Sequence, residues 1–356
     1  MPAEHFYYVN HHGGGHRSRA REILRHLDAD VLLLSSLPRP PDLDSWVPAG
    51  STARRAWTVL PWDTGDGLDP HAPAHYDDPD AGGRLHWAPL DHRGLQQRHR
   101  MVTAAIAEHS PSLLVSDVSA EIACLARLSG VRTVSVLLPG QRDDAAHRLA
   151  FDLSSGLLAP WPQPPSAPDW LQPWLSRTFF AGGIGSGSIT TGSTASSGTA
   201  DAPGTRTTDR PAGRRVLPAF GAEPAPHQLH AAATTTPGWQ WQLDGEPVEV
   251  DRWRQRMAEA DVVVAHAGLG TVADLAATRQ RAVIIPSPRP FGEQVATAAL
   301  LRSLAIGPIV QDVWPDSSAW TELLERACTG PAGDWSAWGA DDGARRAAAW
   351  LLGQLT

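Results

Sequence analysis

The sequence contains no lysine: all 30 of its basic residues are arginine. It is also poor in cysteine, with only Cys124 and Cys328 in 356 residues. Two cysteines so far apart exclude a disulfide framework and a thiolate metal site, and they fit a reducing compartment. No run of about 18 apolar residues occurs, so no membrane-spanning helix is predicted. The formal net charge of −8 argues against a nucleic-acid partner, which requires a basic surface.

Short apolar runs alternate with helical patterns along most of the chain. This alternation predicts parallel β-α-β units with both sheet faces covered. Because the first strand is predicted to begin near His5, we expect no secretory leader and a cytoplasmic location. The segment 37–93 is rich in Pro, Asp, Trp and Gly, and we expect loops there. The predicted strands are 5–10, 30–36, 112–117, 132–138, 156–160, 214–220, 239–243, 261–266, 282–288 and 307–312. The predicted helices are 17–27, 94–109, 120–130, 225–235, 250–260, 269–280, 292–304 and 318–328.

Residues 181–213 are almost purely Gly, Ser, Thr, Ala and Pro. A segment of this composition cannot bury enough apolar surface to order itself, which predicts a flexible linker or loop. We therefore expect an α/β protein with two Rossmann-like domains, 1–180 and 214–340. The last residues, 341–356, form an amphipathic pattern and are predicted to be a helix that packs across both domains.

The most informative stretch is 261–301, where an apolar strand ends at His266 and a Gly-Leu-Gly turn leads into a helix near Thr271. Free backbone N–H groups at the start of a helix bind anions, and the glycines allow a diphosphate to approach closely. Asp274 follows within the helix and can accept hydrogen bonds from ribose hydroxyls. The alternative is that Gly268 and Gly270 only permit a tight turn, with Asp274 an ordinary acid near a helix N-terminus.

The next strand ends in the proline-rich loop "PSPRPFGEQ", which delivers Glu293 and Gln294 to the start of a helix. Adjacent carboxylate and amide side chains suit the vicinal hydroxyls of a sugar. The alternative is that they form an N-terminal capping pair.

The spacing of these residues, from His266 through Pro286 to Glu293 and Gln294, resembles the donor-binding segment of GT-B glycosyltransferases. The pattern is most similar to the MurG-like group, glycosyltransferase family 28. The opening "GGGH", residues 13–16, is similar to the Gly-rich loop and histidine after the first strand of that group. The resemblance implies a GT-B fold, in which an N-terminal acceptor domain faces a C-terminal nucleotide-sugar domain across a cleft.

The resemblance also implies roles for individual residues. His266 and the backbone at Gly268, Gly270 and Thr271 are expected to hold the diphosphate. Asp274 is expected to bind the ribose, and Glu293 with Gln294 the transferred sugar. The chain departs from the family in two places. Asp274 stands where the family usually has Glu, and the loop "FGAEPAPHQ" has one glycine where family members are often Gly/Ser-rich, which leaves the base preference open.

With the diphosphate assigned to the second domain, the opening loop is free for proton transfer. His16 is the predicted general base for the acceptor hydroxyl. Asp117, at the end of the strand "LLVSD", is its predicted partner. Gly14 and Gly15 are expected to let the backbone approach the donor phosphate. The alternatives are His11 or His12 as the base, an ordinary helix-start role for His16, and a helix-capping role for Asp117. In "LLPGQRDDAAHRL" we expect acceptor-side or interdomain contacts from Gly140, Arg142 and His147, or a helix start capped by Asp143.

These observations predict an inverting, metal-independent hexosyltransferase that uses a nucleotide sugar, most simply a UDP-sugar, as co-substrate. No metal site and no other cofactor is predicted. A nucleotide-sugar 2-epimerase and a non-catalytic nucleotide-sugar-binding subunit are the alternatives. A dinucleotide oxidoreductase is disfavoured because the G-x-G-x-x-G spacing is missing. MurG-like relatives often use lipid-linked acceptors, which leaves open a bacterial cell-envelope role at the inner face of the membrane.

Overall fold

A computed structural model describes residues 4–65, 76–185, 214–220, 226–243 and 250–354. Two wholly parallel sheets form the centres of two α/β units. In both units helices lie between successive strands, as the sequence alternation predicts. The predicted α/β architecture of two Rossmann-like units is confirmed.

The first sheet has seven strands in the order β3-β2-β1-β4-β5-β6-β7. The strands are β1 His5–Tyr8, β2 Val31–Ser35, β3 Arg55–Val59, β4 Leu113–Asp117, β5 Thr133–Val136, β6 Gly156–Ala159 and β7 Thr178–Phe180. The helices are α1 Gly14–Leu24, α2 Arg93–His109, α3 Ala120–Leu128 and α4 Ala145–Leu153.

The second sheet has five strands in the order β12-β11-β10-β8-β9. The strands are β8 Arg214–Ala219, β9 Trp239–Trp241, β10 Val262–Ala265, β11 Ala282–Ile284 and β12 Ile309–Val310. The helices that follow in sequence are α5 Pro226–Thr234, α6 Val250–Glu259, α7 Leu269–Thr278, α8 Glu293–Ser303, α9 Trp320–Thr329 and α10 Gly343–Gly353.

Strand β3 is the exception in the segment 37–93, whose other described residues mostly lie in loops, as the sequence predicts. The strand is an edge strand of mixed polarity, which gives it neither a continuous apolar run nor a strict alternation. Its Arg55 is buried and donates to five backbone carbonyls, among them those of Leu24, the last residue of α1, and of Leu27 just after it. Arg55 therefore satisfies helix-end acceptors that have no partner within the helix.

The final helix, α10, packs against α1 on the first sheet. Trp350 stacks on Phe179 with the ring centroids 5.2 Å apart. Nη2 of Arg346 donates to the carbonyl of Phe180 at 2.7 Å. The chain therefore returns to the first α/β unit after completing the second. The predicted boundaries of the domains stay a prediction, and most of the 181–213 segment lies outside the described residues.

Glycines meet where the chain passes between the two units. The backbone N–H of Gly183 donates to the carbonyl of Trp338 at 2.8 Å. A Cβ on Gly182 would lie 2.6 Å from the carbonyl oxygen of Gly339, and one on Gly343 would lie 2.2 Å from that of Gly183. Side chains at these positions would separate the segment that leaves the first unit from the segment that leads back to it.

A second contact joins the units beside the cleft. The backbone N–H of Gln141, after β5, donates to the carbonyl of Phe291, before α8, at 2.8 Å. Gly140 has a φ of 103°, and a Cβ there would lie 2.2 Å from the same carbonyl oxygen. Both requirements, a left-handed backbone and a close approach, restrict position 140 to glycine.

Candidate active site

A cavity of about 920 Å³ lies between the two units. The carboxyl ends of parallel strands meet at one edge of each sheet, and the helix N-termini that follow them face this cavity. Of the residues predicted from the sequence, the wall contains Gly15, His16, His266, Gly268, Gly270, Thr271, Asp274, Glu293 and Gln294. Two predicted residues are not part of the wall: Gly14 lies in the exposed first turn of α1, and Asp117 lies buried behind His16.

Helix α1 begins at Gly14, three residues earlier than predicted, so its first turn carries Gly14, Gly15 and His16. The preceding Gly13 has a φ of 88°, which favours glycine. Neither α1 nor α7 has a side-chain cap or an acidic residue in its first turn. Two helix N-termini therefore border one cavity, and the partial positive charge of each favours an anion there.

His16 lies against Asp117, as the sequence predicts. Nδ1 of His16 is 3.0 Å from Oδ1 of Asp117, which is fully buried. Ser119 accepts from the backbone N–H of Ile122 and caps α3, so the alternative of Asp117 as the cap is wrong. Of the two rival histidines, His12 reaches the cavity wall, whereas His11 is not part of it.

The sequence analysis missed Arg19, the third member of this group. Its Nη2 lies 2.6 Å from Oδ1 of Asp117 and 2.8 Å from Nδ1 of His16. Positions 16 and 19 are three residues apart on α1 and so share a helix face. This spacing is the signal in the sequence that identifies Arg19 once His16 is assigned to the site.

The three contacts set the protonation of the His16 ring. If Nδ1–H donates to Asp117, Nε2 keeps its lone pair and can act as a base. If Nδ1 instead accepts from Arg19, the neutral ring carries its proton on Nε2 and cannot. Arg19 therefore competes with the arrangement that general-base catalysis needs.

Charge pairing in this buried group shifts two pKa values. Burial raises the pKa of Asp117, but the Arg19 guanidinium and His16 outweigh burial and hold it below its usual value. Burial lowers the pKa of Arg19, but the charge of Asp117 outweighs burial and raises it. Both groups are therefore ionised at neutral pH, and Asp117 shares its charge between a fixed cation and His16.

On the opposite wall, His266 lies at the end of β10. Its Nδ1–H donates to the carbonyl of Ile285 at 2.8 Å, because a carbonyl oxygen can only accept. The neutral ring consequently has its lone pair on Nε2, and Nε2 carries a proton only when the ring is cationic. Phe220 packs against the ring at 4.6 Å between centroids.

Asp274 lies in the second turn of α7 and is buried, with 4% of its surface exposed. A Cβ on Gly185 would lie 2.4 Å from Oδ1 of Asp274. The backbone after β7 therefore covers this carboxylate, and the first unit helps to fix its position. Its predicted ribose contact stays a prediction.

Glu293 and Gln294 begin α8, whose N-cap Gly292 makes no side-chain capping bond. Oε1 of Gln294 accepts from the backbone N–H of Ser287 at 2.9 Å, which fixes the amide against the end of the proline-rich loop. Oε2 of Glu293 lies 4.0 Å from Nη2 of Arg142 on the first unit. The two side chains do not cap α8, so the capping alternative is not what the structure shows.

Arg142 makes the expected interdomain contact. Its guanidinium lies 4.6 Å from the ring centroid of Phe291, and its Nη1 lies 3.2 Å from Nε2 of His147. The helix start that carries His147 is capped by Asp144, whose Oδ1 accepts from the N–H of His147, so the expectation of Asp143 as the cap is wrong.

Several side chains in the wall had no signal in the sequence. They are Asn10, Ser18, Phe220, Trp253 and Arg289. Loops from both units bring them together, and no local pattern marks such a set. In the part of the chain that the structure describes, no helix has the length and apolar character needed to span a bilayer.

Comparison with known proteins supports the fold assignment. Residues 234–312 match the sequence model of the glycosyltransferase family 28 C-terminal domain. No curated protein matches the chain in sequence. Among solved structures, the glycotransferase of kitacinnamycin is 14% identical over 100% of both chains, with a TM-score of 0.60.

Two further solved structures are similar over nearly their whole length. Spinosyn rhamnosyltransferase SpnG, complexed with thymidine diphosphate, is 15% identical, with a TM-score of 0.55 over 99% of this chain and 100% of that chain. MurG of Acinetobacter baumannii is 14% identical, with a TM-score of 0.55 over 99% of each chain. The chain therefore has the GT-B fold, and the predicted resemblance to the family 28 group is confirmed.

Proposed function

We propose that this GT-B protein is a glycosyltransferase that moves a hexosyl group from a nucleotide sugar to an acceptor hydroxyl. One observation carries the proposal: a single cavity has the His16–Asp117 pair behind one wall and the uncapped N-terminus of α7 in the other. The family 28 match over residues 234–312 supports placing the donor on the second unit.

In the proposed reaction, Nε2 of His16 takes the proton of the acceptor hydroxyl as its oxygen attacks the anomeric carbon. The bond from that carbon to the diphosphate oxygen breaks, and the nucleoside diphosphate leaves with the electron pair. Asp117 stabilises the imidazolium that forms on His16. A single displacement from the side opposite the diphosphate inverts the configuration, so we expect an inverting enzyme.

The leaving diphosphate gains negative charge, and fixed donors stabilise it best when they are already oriented. Backbone N–H groups at Gly268, Gly270 and Thr271 would supply these donors, with protonated His266 beside them. The N-terminus of α1, with Gly14 and Gly15, adds positive potential from the other wall. We therefore propose that the donor site works without a divalent ion.

The remaining assignments follow from position in the cavity. Asp274 would bind the ribose, and Glu293 with the free side of Gln294 the hexose. UDP-sugars are the first donors to test, and dTDP-sugars the second, because SpnG was determined with thymidine diphosphate. We include lipid-linked hydroxyls among the acceptors, and with them a cytoplasmic location at the inner face of the membrane, on the strength of the MurG-like resemblance.

Thermal unfolding against UDP, dTDP, GDP, NAD and S-adenosylmethionine tests the donor site. A ligand at 100 times its dissociation constant adds about 2.7 kcal/mol of stability. We expect one nucleoside diphosphate to stabilise the protein, and Asp274→Ala to weaken that effect while His16→Ala leaves it unchanged. Stabilisation by NAD alone would refute the proposal.

Turnover separates the proposal from its alternatives. With the matching nucleotide sugar and a panel of acceptors, we expect nucleoside diphosphate release that is lost in His16→Ala and only reduced in His12→Ala. Conversion of the sugar without nucleotide release would instead identify a 2-epimerase. Donor binding without turnover of any kind would identify a binding subunit.

A further inference from the structure

Three side chains beside the cleft, two imidazoles and one carboxylate, carry metal-ligand atoms and have no part in the proposed reaction. His11 and His12 follow β1, and Asp63 follows β3, at the same edge of the first sheet. Their potential ligand atoms all lie within 4.8 Å of one another. The rings of His11 and His12 are 4.1 Å apart between centroids.

His11 is buried without the hydrogen bonds that a buried imidazole needs. Its side chain is only 3% exposed. Among the residues that the structure describes, neither of its ring nitrogens has a hydrogen-bond partner, and neither does Oδ1 of Asp63. A buried polar atom left in this state costs about 1–3 kcal/mol. One ion bound by Nε2 of His11 and Oδ1 of Asp63 would satisfy two of these three atoms together, and Nδ1 of His11 would keep its proton.

The distance between two of these atoms identifies the kind of ligand. Nε2 of His11 lies 3.1 Å from Oδ1 of Asp63, yet the two atoms lack hydrogen-bond geometry. Nitrogen and oxygen ligands about 2.0–2.1 Å from a tetrahedral ion lie roughly 3.3 Å apart, with lone pairs that point at the ion rather than at each other. The observed contact fits this arrangement.

We propose that His11, His12 and Asp63 bind one divalent transition-metal ion of the Zn²⁺ type. Two imidazoles and one carboxylate are a ligand set that zinc uses in proteins, with a fourth position left for water. The nearest fixed cation, Arg98, has its Nη2 3.8 Å from Oδ2 of Asp63 and pairs with Glu121 at 2.9 Å through Nε. The carboxylate of Asp63 therefore remains available to the metal.

The ion would join the loop after β3 to the loop after β1. The second of these loops continues through Gly13 into α1, which carries His16. His12 also lines the cavity, so the ion would lie at the acceptor side of the cleft, away from the α7 N-terminus. The metal would thus hold the loop that precedes the proposed base, and it would have no contact with the donor diphosphate.

A second His–Asp–His group, His86, Asp144 and His147, differs because its ring nitrogens have hydrogen-bond partners. Nδ1 of His147 is 2.5 Å from Oδ2 of Asp144, and its Nε2 is 3.2 Å from Nη1 of Arg142. Nε2 of His86 is 3.0 Å from Oδ1 of Asp144. Hydrogen bonds already satisfy these ring nitrogens. We expect no metal there, which makes His86→Gln the matched control.

Zinc titration of the full-length protein, without a histidine tag and after treatment with a chelator, tests the site. We expect one equivalent of Zn²⁺ by calorimetry and by elemental analysis, and visible absorption bands of tetrahedral Co²⁺ when cobalt is added instead. His11→Gln and Asp63→Asn remove a direct ligand. Each variant should lower the metal affinity by more than the 10–100-fold that is typical when a residue hydrogen-bonded to a ligand is lost.

Two further measurements keep the test decisive. His12→Gln alters an exposed side chain and should fold normally while also weakening the metal, whereas His86→Gln should bind one equivalent with unchanged affinity. No binding by the unaltered protein, or undiminished binding by both His12→Gln and His11→Gln, would overturn the proposal. Because metal content is measured directly, these results are independent of whether the protein transfers a sugar.

Discussion

Nη2 of Arg19 lies 2.6 Å from Oδ1 of Asp117, the same oxygen that approaches Nδ1 of His16 at 3.0 Å. A fixed guanidinium therefore neutralises part of the carboxylate charge that a catalytic histidine would otherwise use alone. Asp117 increases the basicity of His16, and Arg19 limits that increase. A variant without the guanidinium can measure the size of the limit.

Arg19→Gln should separate these two effects. Without the guanidinium, Asp117 acts on His16 alone, so the imidazolium is stabilised and the pH–activity profile should move to higher pH. Removing one member of a buried charge pair also costs about 3–5 kcal/mol of stability. Arg19→Lys keeps the charge and should leave the profile near its original position. An unchanged profile in Arg19→Gln would show that Arg19 is structural only.

His266 should make donor binding depend on pH. Because Nδ1–H is held by the Ile285 carbonyl, Nε2 can donate to a phosphate only after the ring gains a proton. We expect calorimetry in buffers of different ionisation enthalpy to show proton uptake when a nucleotide sugar binds, since its diphosphate diester does not titrate near neutral pH.

His266→Gln supplies a neutral donor in the same place. Its binding should take up no proton and should vary little with pH. A cationic donor binds a phosphate more strongly than a neutral one, so we expect His266→Gln to bind the donor more weakly than the original protein at acidic pH. Equal proton uptake by both proteins would exclude His266 as the phosphate ligand.

Gly140→Ala should weaken the contact between the two units. The new Cβ would strain a backbone at φ 103° and press on the Phe291 carbonyl at 2.2 Å. Gly130→Ala is the matched control, because Gly130 has a φ of 77° and a Cβ added there would meet nothing within 4 Å. The left-handed backbone should cost both variants about 1 kcal/mol of stability. Only Gly140→Ala should also weaken donor binding, because it displaces Phe291, which precedes the proposed hexose ligand Glu293.

His147 should make the stability of the protein fall in mild acid. Burial is the main cause that lowers its pKa to about 4 from 6.5, although Asp144 acts in the opposite direction. Between these values the unfolded chain binds a proton that the folded protein does not, so stability decreases as the pH falls from 6.5 towards 4. The maximum slope for one group is about 1.4 kcal/mol per pH unit.

His147→Gln should flatten the melting temperature over that pH window. Below pH 4 the stability of both proteins should continue to decline, because other carboxylates titrate there. The decline should be steeper in the original protein, in which hydrogen bonds from His147 outweigh burial and lower the pKa of Asp144. A curve for His147→Gln that parallels the original between pH 4 and 6.5 would assign the acid sensitivity to other groups.

The sequence predicted the two sheets because buried parallel strands leave a strong local signal. Strands such as β4 and β10 are uniformly buried and mostly apolar, and each is followed by a helix. The edge strand β3 and the three-residue β7 escaped prediction, because one is partly exposed and the other is too short for a pattern.

The sequence likewise predicts some residues of the candidate site and misses others. His16, Asp117 and the turn at Gly268 follow strand ends, so the rule for parallel sheets places them in one cleft. Arg19 is marked only by its spacing of three residues from His16. Phe291 acts through partners far away in sequence, and nothing local marks it. The left-handed φ of 60° at Phe291, unusual for an aromatic residue, becomes visible only in three dimensions.

The glycine contacts between the two units have a mechanical consequence. The chain crosses between the units twice, and the crossings touch at Gly182–Gly339 and Gly183–Gly343. Because the two crossings touch, a larger residue at any of these glycines would act on both units at once. We expect such a substitution to change the position of the α7 wall relative to the His16 wall, although no residue of either wall would be replaced.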